Sequence, residues 1–141
     1  MKRVAATLLT AGHAQGELLV LSQPLSLWGG IDLETGEIND PSHPQVGQNV
    51  AGKVLAMRTA RGSSSSASAL VESLRRGCNP AAIVMVATDA ILVMGGLVGE
   101  TLYGQALPIV RIEDSDWPYL EHHERAEVGL HAGTASLTLL P

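Results

Sequence analysis

The chain has 141 residues, 45% of them hydrophobic but only 3% aromatic, with no phenylalanine, one cysteine and a formal net charge of −5. Scattered Lys and Arg and so few rings exclude the basic stripe with stacking aromatics of a nucleic-acid binder, and no apolar run nears the ~18 residues needed to cross a bilayer. Cys78 alone can form no internal disulfide and cannot hold an iron–sulfur cluster, which takes several thiolates.

The length fits one domain, residues 1–141, able to bury roughly 68% of its unfolded surface. No leader pattern opens the chain, and a lone thiol suits a reducing compartment, so a cytoplasmic domain without membrane attachment is expected. Val4 to Leu9 and Leu18 to Ser22 read as strands, bounded by Gly12, Gly16 and Pro24. Leu25 to Asp32 and Glu34 to Ile38 continue the β structure, with Glu34-Thr35-Gly36 as a hairpin turn. Asp40 to Pro44, with two prolines, is a loop.

From Val50 the pattern changes. A strand at Lys53 to Arg58 leads through Arg61-Gly62-Ser63-Ser64-Ser65-Ser66 into a helix from Ser66 to Arg76, closed by Gly77 after two arginines. Ala82 to Val86 is continuously apolar, as in a strand covered on both faces. Asp89 caps a second helix, Ala90 to Tyr103, closed by Gly104; its Gly95, Gly96 and Gly99 imply close packing against a neighbour. Pro108 to Ile112 is a further strand. Glu127 to Leu139 reads as one or two late strands broken at Gly129 and Gly133. The order β-α-β-α-β predicts parallel strands with helical crossovers. The fold class is α/β, a mixed sheet or small barrel with at least two helices.

The serine turn is the candidate site. A glycine turn between strand and helix aims backbone N–H groups and a helix N-terminus at an anion, with hydroxyls at the focus. A flexible Gly/Ser linker and simple N-capping are the alternatives, and a linker seldom separates a buried strand from a closed helix. Ser63 lacks the Gly-x-Ser-x-Gly elbow of a hydrolase nucleophile, and the five histidines show no partner arrangement. His122 and His123 are adjacent and point apart, so they read as a solvated turn, not a metal site. His43 is a loop histidine. Trp28-Gly29-Gly30 permits close backbone approach to a ligand or another chain, or marks a bend. Arg58 and Arg61 flank the turn, where a guanidinium could pair with a carboxylate.

Taken in order, Pro24-Leu25-Ser26-Leu27-Trp28-Gly29-Gly30-Ile31-Asp32, His43-Pro44 with Gly47, Gly52-Lys53-Val54-Leu55, Arg61-Gly62-Ser63-Ser64-Ser65 and Asn79-Pro80-Ala81-Ala82-Ile83 resemble the small subunit of aconitase X. The likeness covers roughly Leu18 to Ile112. It implies a swivelling β/β/α domain that closes over a large subunit, which would hold iron or an iron–sulfur cluster; this chain alone would bind no metal. Bacterial members of the family look like cis-3-hydroxy-L-proline dehydratases that yield Δ1-pyrroline-2-carboxylate; an archaeal branch dehydrates mevalonate 5-phosphate, and the present motifs look closer to the former. By carry-over Ser63 is the base, with partner-bound iron as Lewis acid on the departing hydroxyl. Gly62, Ser64, Ser65, Arg61 and Gly30 would contact the small hydroxy-acid substrate. Where aconitase swivel domains place an arginine soon after the serine, this chain has Ser65 and Ser66, which suits a substrate with one carboxylate. The rival outside enzymology is a non-catalytic anion-binding module, which would need no partner; a purely structural subunit would tolerate substitution throughout the serine run.

Overall fold

The computed structural model describes all residues, Met1–Pro141. Seven strands form: β1 (Lys2–Thr10), β2 (Ala14–Val20), β3 (Val54–Ala56), β4 (Ala82–Met85), β5 (Ile109–Ile112), β6 (Arg125–His131) and β7 (Thr134–Leu140). They close into a barrel in the order β1-β5-β4-β3-β2-β6-β7, with β7 pairing back onto β1. Four helical segments accompany them: α1 (Leu27–Gly30), α2 (Ser65–Arg76), α3 (Ala90–Tyr103) and α4 (Trp117–Leu120). The α/β expectation, with a mixed barrel and at least two helices, is met.

The barrel has two halves of different pairing. β2, β3, β4 and β5 run parallel, because the long segment carrying α1 crosses from β2 to β3 and α2 and α3 cross over between the strands that follow. β1, β6 and β7 pair antiparallel with their neighbours. A two-residue turn joins β6 to β7, and Ala132 and Gly133 both take positive φ there, at 51° and 81°, as such hairpins require.

Alternation along the parallel strands sorts their side chains between two cores. Val54, Ala56, Ala82, Val84, Val110 and Ile112 point into the barrel, where they join Val128, Leu137 and Trp117. Leu55, Met57, Ile83, Met85 and Ile109 point outward and are covered by Leu70, Leu74 and Leu92 of the helices. Burial on both faces explains the unbroken apolar runs. Each buried leucine contributes roughly 1.5–3 kcal/mol.

α2 buries Ala69, Leu70, Ser73 and Leu74, a stripe of helical period. α3 packs on it through its glycines. A Cβ at Gly95 would stand 3.1 Å from the Ala67 carbonyl oxygen, and one at Gly99 would run into Leu74 Cδ1. α3 leaves Met94, Leu97, Val98 and Leu102 exposed, with Met94 and Val98 along its seam with α2.

Two local expectations change. Leu25 to Gly30 is not a strand but an extended approach to a single distorted turn, in which Trp28 and Gly29 leave helical geometry and Gly29 takes φ 78°. Isolated bridges join Ile31 to Ile38 and Glu37 to Asn49, the first around a turn in which Asp32 O accepts the Gly36 N–H at 2.7 Å. Gly129 lies inside β6, paired with Ser136. A Cβ there would stand 2.8 Å from His13 Cδ2, so this glycine marks a close approach, and Gly133 alone marks the break.

Candidate active site

The serine turn hangs from a fixed strand end. Met57 N–H donates to Val84 O at 3.0 Å, and the Arg58 carbonyl accepts the Val86 and Ala87 amides at 3.0 and 2.9 Å. Beyond this anchor Gly62 turns the chain at φ 115°, a conformation side chains disfavour; its missing Cβ would collide with Ser26 Oγ and stand 3.0 Å from Ser66 Oγ. Ser63, Ser64 and Arg61 are exposed and Ser65 half-buried.

Local hydrogen bonds make Ser63 the focus of this turn. Its Oγ accepts the Ser65 N–H at 3.3 Å, and its carbonyl accepts the Ser66 N–H at 3.0 Å. The Ser64 carbonyl takes the Ala67 N–H at 3.2 Å. No protein acceptor takes the Ser63 and Ser64 amides, the N-cap residue Ser64 makes no side-chain cap bond, and no acidic residue lies in the first turn of α2. Unpaired amides and the helix dipole together present the equivalent of about half a positive charge. An N–H aimed at Oγ favours the deprotonated hydroxyl. Arg75, Arg76 and Gly77, in the left-handed conformation at φ 74°, close the other end of α2.

The cations sort themselves by position. Arg61 is exposed and makes no ion pair with a carboxylate; Asp40 is held below its ordinary value by the Ser42 hydroxyl and amide, with Arg61 and His43 adding weaker attraction. Arg58 instead pairs with Asp114 and stacks 5.0 Å from the Trp117 ring centroid. Lys53 precedes β3, at the end of the strand away from the serine turn, and lies 3.9 Å from Glu17. Of the three cations nearest in sequence, Arg61 alone is left for an anion at the turn.

Gly30 is buried beneath Leu25, whose Cδ1 would stand 3.0 Å from a Cβ there, and its carbonyl accepts the Asn39 N–H at 3.0 Å. Trp28, by contrast, is 60% exposed. The approach to this turn meets the serine run through Ser26, whose Oγ donates to Trp28 O at 2.9 Å while crowding the Gly62 position. Sequence reasoning did not single out Ser26; its one signal was membership of the Pro24 to Asp32 motif. His43 is 4% exposed, with its ring nitrogens engaged by Gln23 O at 3.1 Å and by the Gln45 N–H at 3.0 Å. It holds the loop together and presents no free nitrogen.

No group of three or more His, Cys, Asp or Glu converges anywhere in the chain. Cys78 is buried, its Sγ–H donates to Leu33 O at 3.1 Å, and burial pushes its thiol pKa up. These residues do not fit an iron or iron–sulfur group. The largest cleft, about 510 Å³, is lined by Val20, Leu21, Ser22, Arg58 and Trp117 among others and includes none of the serine turn. The turn therefore lies on open surface, and a substrate bound there alone would stay in water. No helix is long and apolar enough to cross a membrane.

Comparison with known proteins bears on what completes this surface. Cis-3-hydroxy-L-proline dehydratase of Pseudomonas aeruginosa is 44% identical over 101 residues, 72% of this chain but 17% of that protein. The enzyme of the same name from Hypocrea jecorina is 33% identical over 92% of this chain and 21% of its own length. The chain thus spans about a fifth or less of these relatives. The phosphomevalonate dehydratase small subunit of Methanopyrus kandleri is 43% identical over 61% of this chain and 64% of that subunit. The crystal structure of Thermococcus kodakaraensis aconitase X in its holo-form superimposes with TM-score 0.83 over all of both chains at 24% identity, a likeness of fold. The aconitase X swivel domain, as a family, matches residues 3–137. A barrel that offers hydroxyls and bare amides on an open face, matched over nearly its whole length, belongs to the aconitase X swivel domain family.

Proposed function

We propose that this chain is the swivel subunit of an aconitase X-type hydro-lyase that dehydrates cis-3-hydroxy-L-proline to Δ1-pyrroline-2-carboxylate. Its partner is a large subunit, which carries the iron or iron–sulfur group that this chain has no ligand set to hold. Residues 1–141 act as one lid. The observation that carries the reading is the Ser63 hydroxyl, exposed at the α2 N-terminus and already accepting an N–H bond.

Loss of water from a β-hydroxy acid requires removal of the α-proton as the hydroxide leaves. Ser63 Oγ takes that proton, either as its alkoxide, which becomes the neutral hydroxyl, or through a relay in which the hydroxyl passes its own proton on as it accepts the new one. A serine is a weak base in water, so closure against a partner, which excludes solvent, strengthens the N–H groups aimed at it. The Ser64 amide and hydroxyl, with Ser65, hold the substrate carboxylate, and Arg61 approaches from the Asp40 side. Gly62 keeps the backbone clear of a side chain.

Hydroxyproline is favoured over phosphomevalonate because a phosphate calls for more cationic donors than the single unpaired arginine at this turn. The test is turnover of both substrates by this chain co-produced with its large subunit. Ser63→Ala in that complex is expected to lower kcat by about 10²–10⁴-fold with the complex intact. Near-normal turnover by the alanine variant rejects the base assignment. Activity on phosphomevalonate alone rejects the substrate.

A further inference from the structure

Ser66 stands in the first turn of α2 and is 4% exposed. Its Oγ is the one buried side-chain polar atom of the chain without a hydrogen-bond partner. Comparable groups elsewhere are satisfied. Ser73 Oγ donates to Leu70 O at 2.6 Å, and Thr10 Oγ1 both donates to Leu107 O at 2.6 Å and accepts from Ile109 N–H at 2.8 Å. A buried, unbonded hydroxyl destabilises a fold, and alanine is the better helix former at such a position. Nothing in the free chain's stability calls for a serine here.

The location of the hydroxyl is informative. Its Oγ stands 3.0 Å from the point a Gly62 Cβ would occupy, and Ser26 Oγ crowds that same point. The Ser66 amide already holds the Ser63 carbonyl at 3.0 Å. One residue thus touches the glycine that bends the turn and the backbone of the serine that would act as base.

We propose that Ser66 is a positioning residue: its O–H bonds to the Gly62 turn only as the substrate's proton passes to Ser63, fixing Ser63 in the reacting state. The inference rests on the dehydratase reading. A bond made only in the reacting state raises kcat and leaves ground-state binding alone. The hydroxyl is therefore kept at some expense to the resting chain.

The test uses this chain in complex with its large subunit, with cis-3-hydroxy-L-proline as substrate. Ser66→Ala is expected to lower kcat roughly tenfold, the size of one hydrogen bond, with KM little changed. The thermal midpoint of the Ser66→Ala chain alone is expected to equal or exceed that of the parent. Ser66→Cys, similar in volume but a weak donor, is expected to lose activity with the alanine variant. Full kcat in Ser66→Ala, or loss there with full rescue by cysteine, overturns the proposal; so does a raised KM at unchanged kcat, which is the mark of direct substrate binding. Ser63→Ala run in parallel separates the two readings: activity retained there strikes the base assignment and the Ser66 proposal with it, whereas loss there beside full kcat in Ser66→Ala strikes the Ser66 proposal alone.

Discussion

α2 and α3 lie side by side on the same face of the barrel, follow neighbouring parallel strands and end alike on left-handed glycines, yet they begin differently. α3 starts with Asp89, whose carboxylate accepts the Leu92 N–H at 3.0 Å. A fixed anion thus fills the positive end of that helix. α2 starts with serines, which donate and accept but bring no charge; its first amides turn to Ser63 Oγ and to the Ser63 and Ser64 carbonyls, and the Ser63 and Ser64 amides just before it take no protein acceptor. One N-terminus is filled by a carboxylate of its own sequence; the other carries no anion of its own. The contrast separates a structural helix start from one that can bind an anion, although both present the same backbone.

Exchanging the two beginnings should break the contrast. Ser64→Asp puts a carboxylate where α2 now has a hydroxyl. The free chain should gain about 0.3–1 kcal/mol in urea denaturation, while turnover in the complex falls on the order of 10²-fold or more, because a fixed charge repels the substrate carboxylate. Asp89→Ala removes the finished cap and should lower stability by about 0.5–2 kcal/mol, with kcat and KM unchanged. The smallest effect lies at the far end of α2. There Glu72 is held below its ordinary value of 4.5 by hydrogen bonds from Arg75 and then Arg76. A carboxylate with a depressed folded pKa stabilises above its unfolded value, and that contribution is lost as pH falls through the folded one. Glu72→Gln should therefore unfold at a slightly lower temperature than the parent at neutral pH, with the gap closing below about pH 4.5.

The contrast was partly legible beforehand. Asp89 ahead of an apolar run and Gly77 and Gly104 behind theirs are local signals, and both helices lie within a residue of their expected bounds. The apolar run at Leu55 announced a strand and the one at Ile83 a strand covered on both faces, and the Gly-Ser turn placed the candidate site. Barrel closure was not legible as such. It depends on β7 meeting β1 across the whole chain, and no short window carries that pairing. Leu25 to Gly30 was misread as a strand because its apolar residues fit either period, and the turn is fixed by Leu25 and Leu27 burying in the helix-side core. The meeting of Ser26, Gly62 and Ser66 was equally hidden, since each is ordinary alone and only the fold brings them together.

The pairing of β1 with β7 has a further consequence. Ala6 sits opposite Ile112, the last residue of β5, so Lys2 to Ala5 run past that strand end toward the rim from which the serine turn also springs, with Leu139 beside Lys2. Polypeptide entering and leaving the cylinder does so at neighbouring staves, on the hydroxyl-bearing side. Such a cassette can be spliced into a longer chain or released from it without rethreading the barrel. That suits a family in which like sequences occur both as small subunits and within much larger proteins.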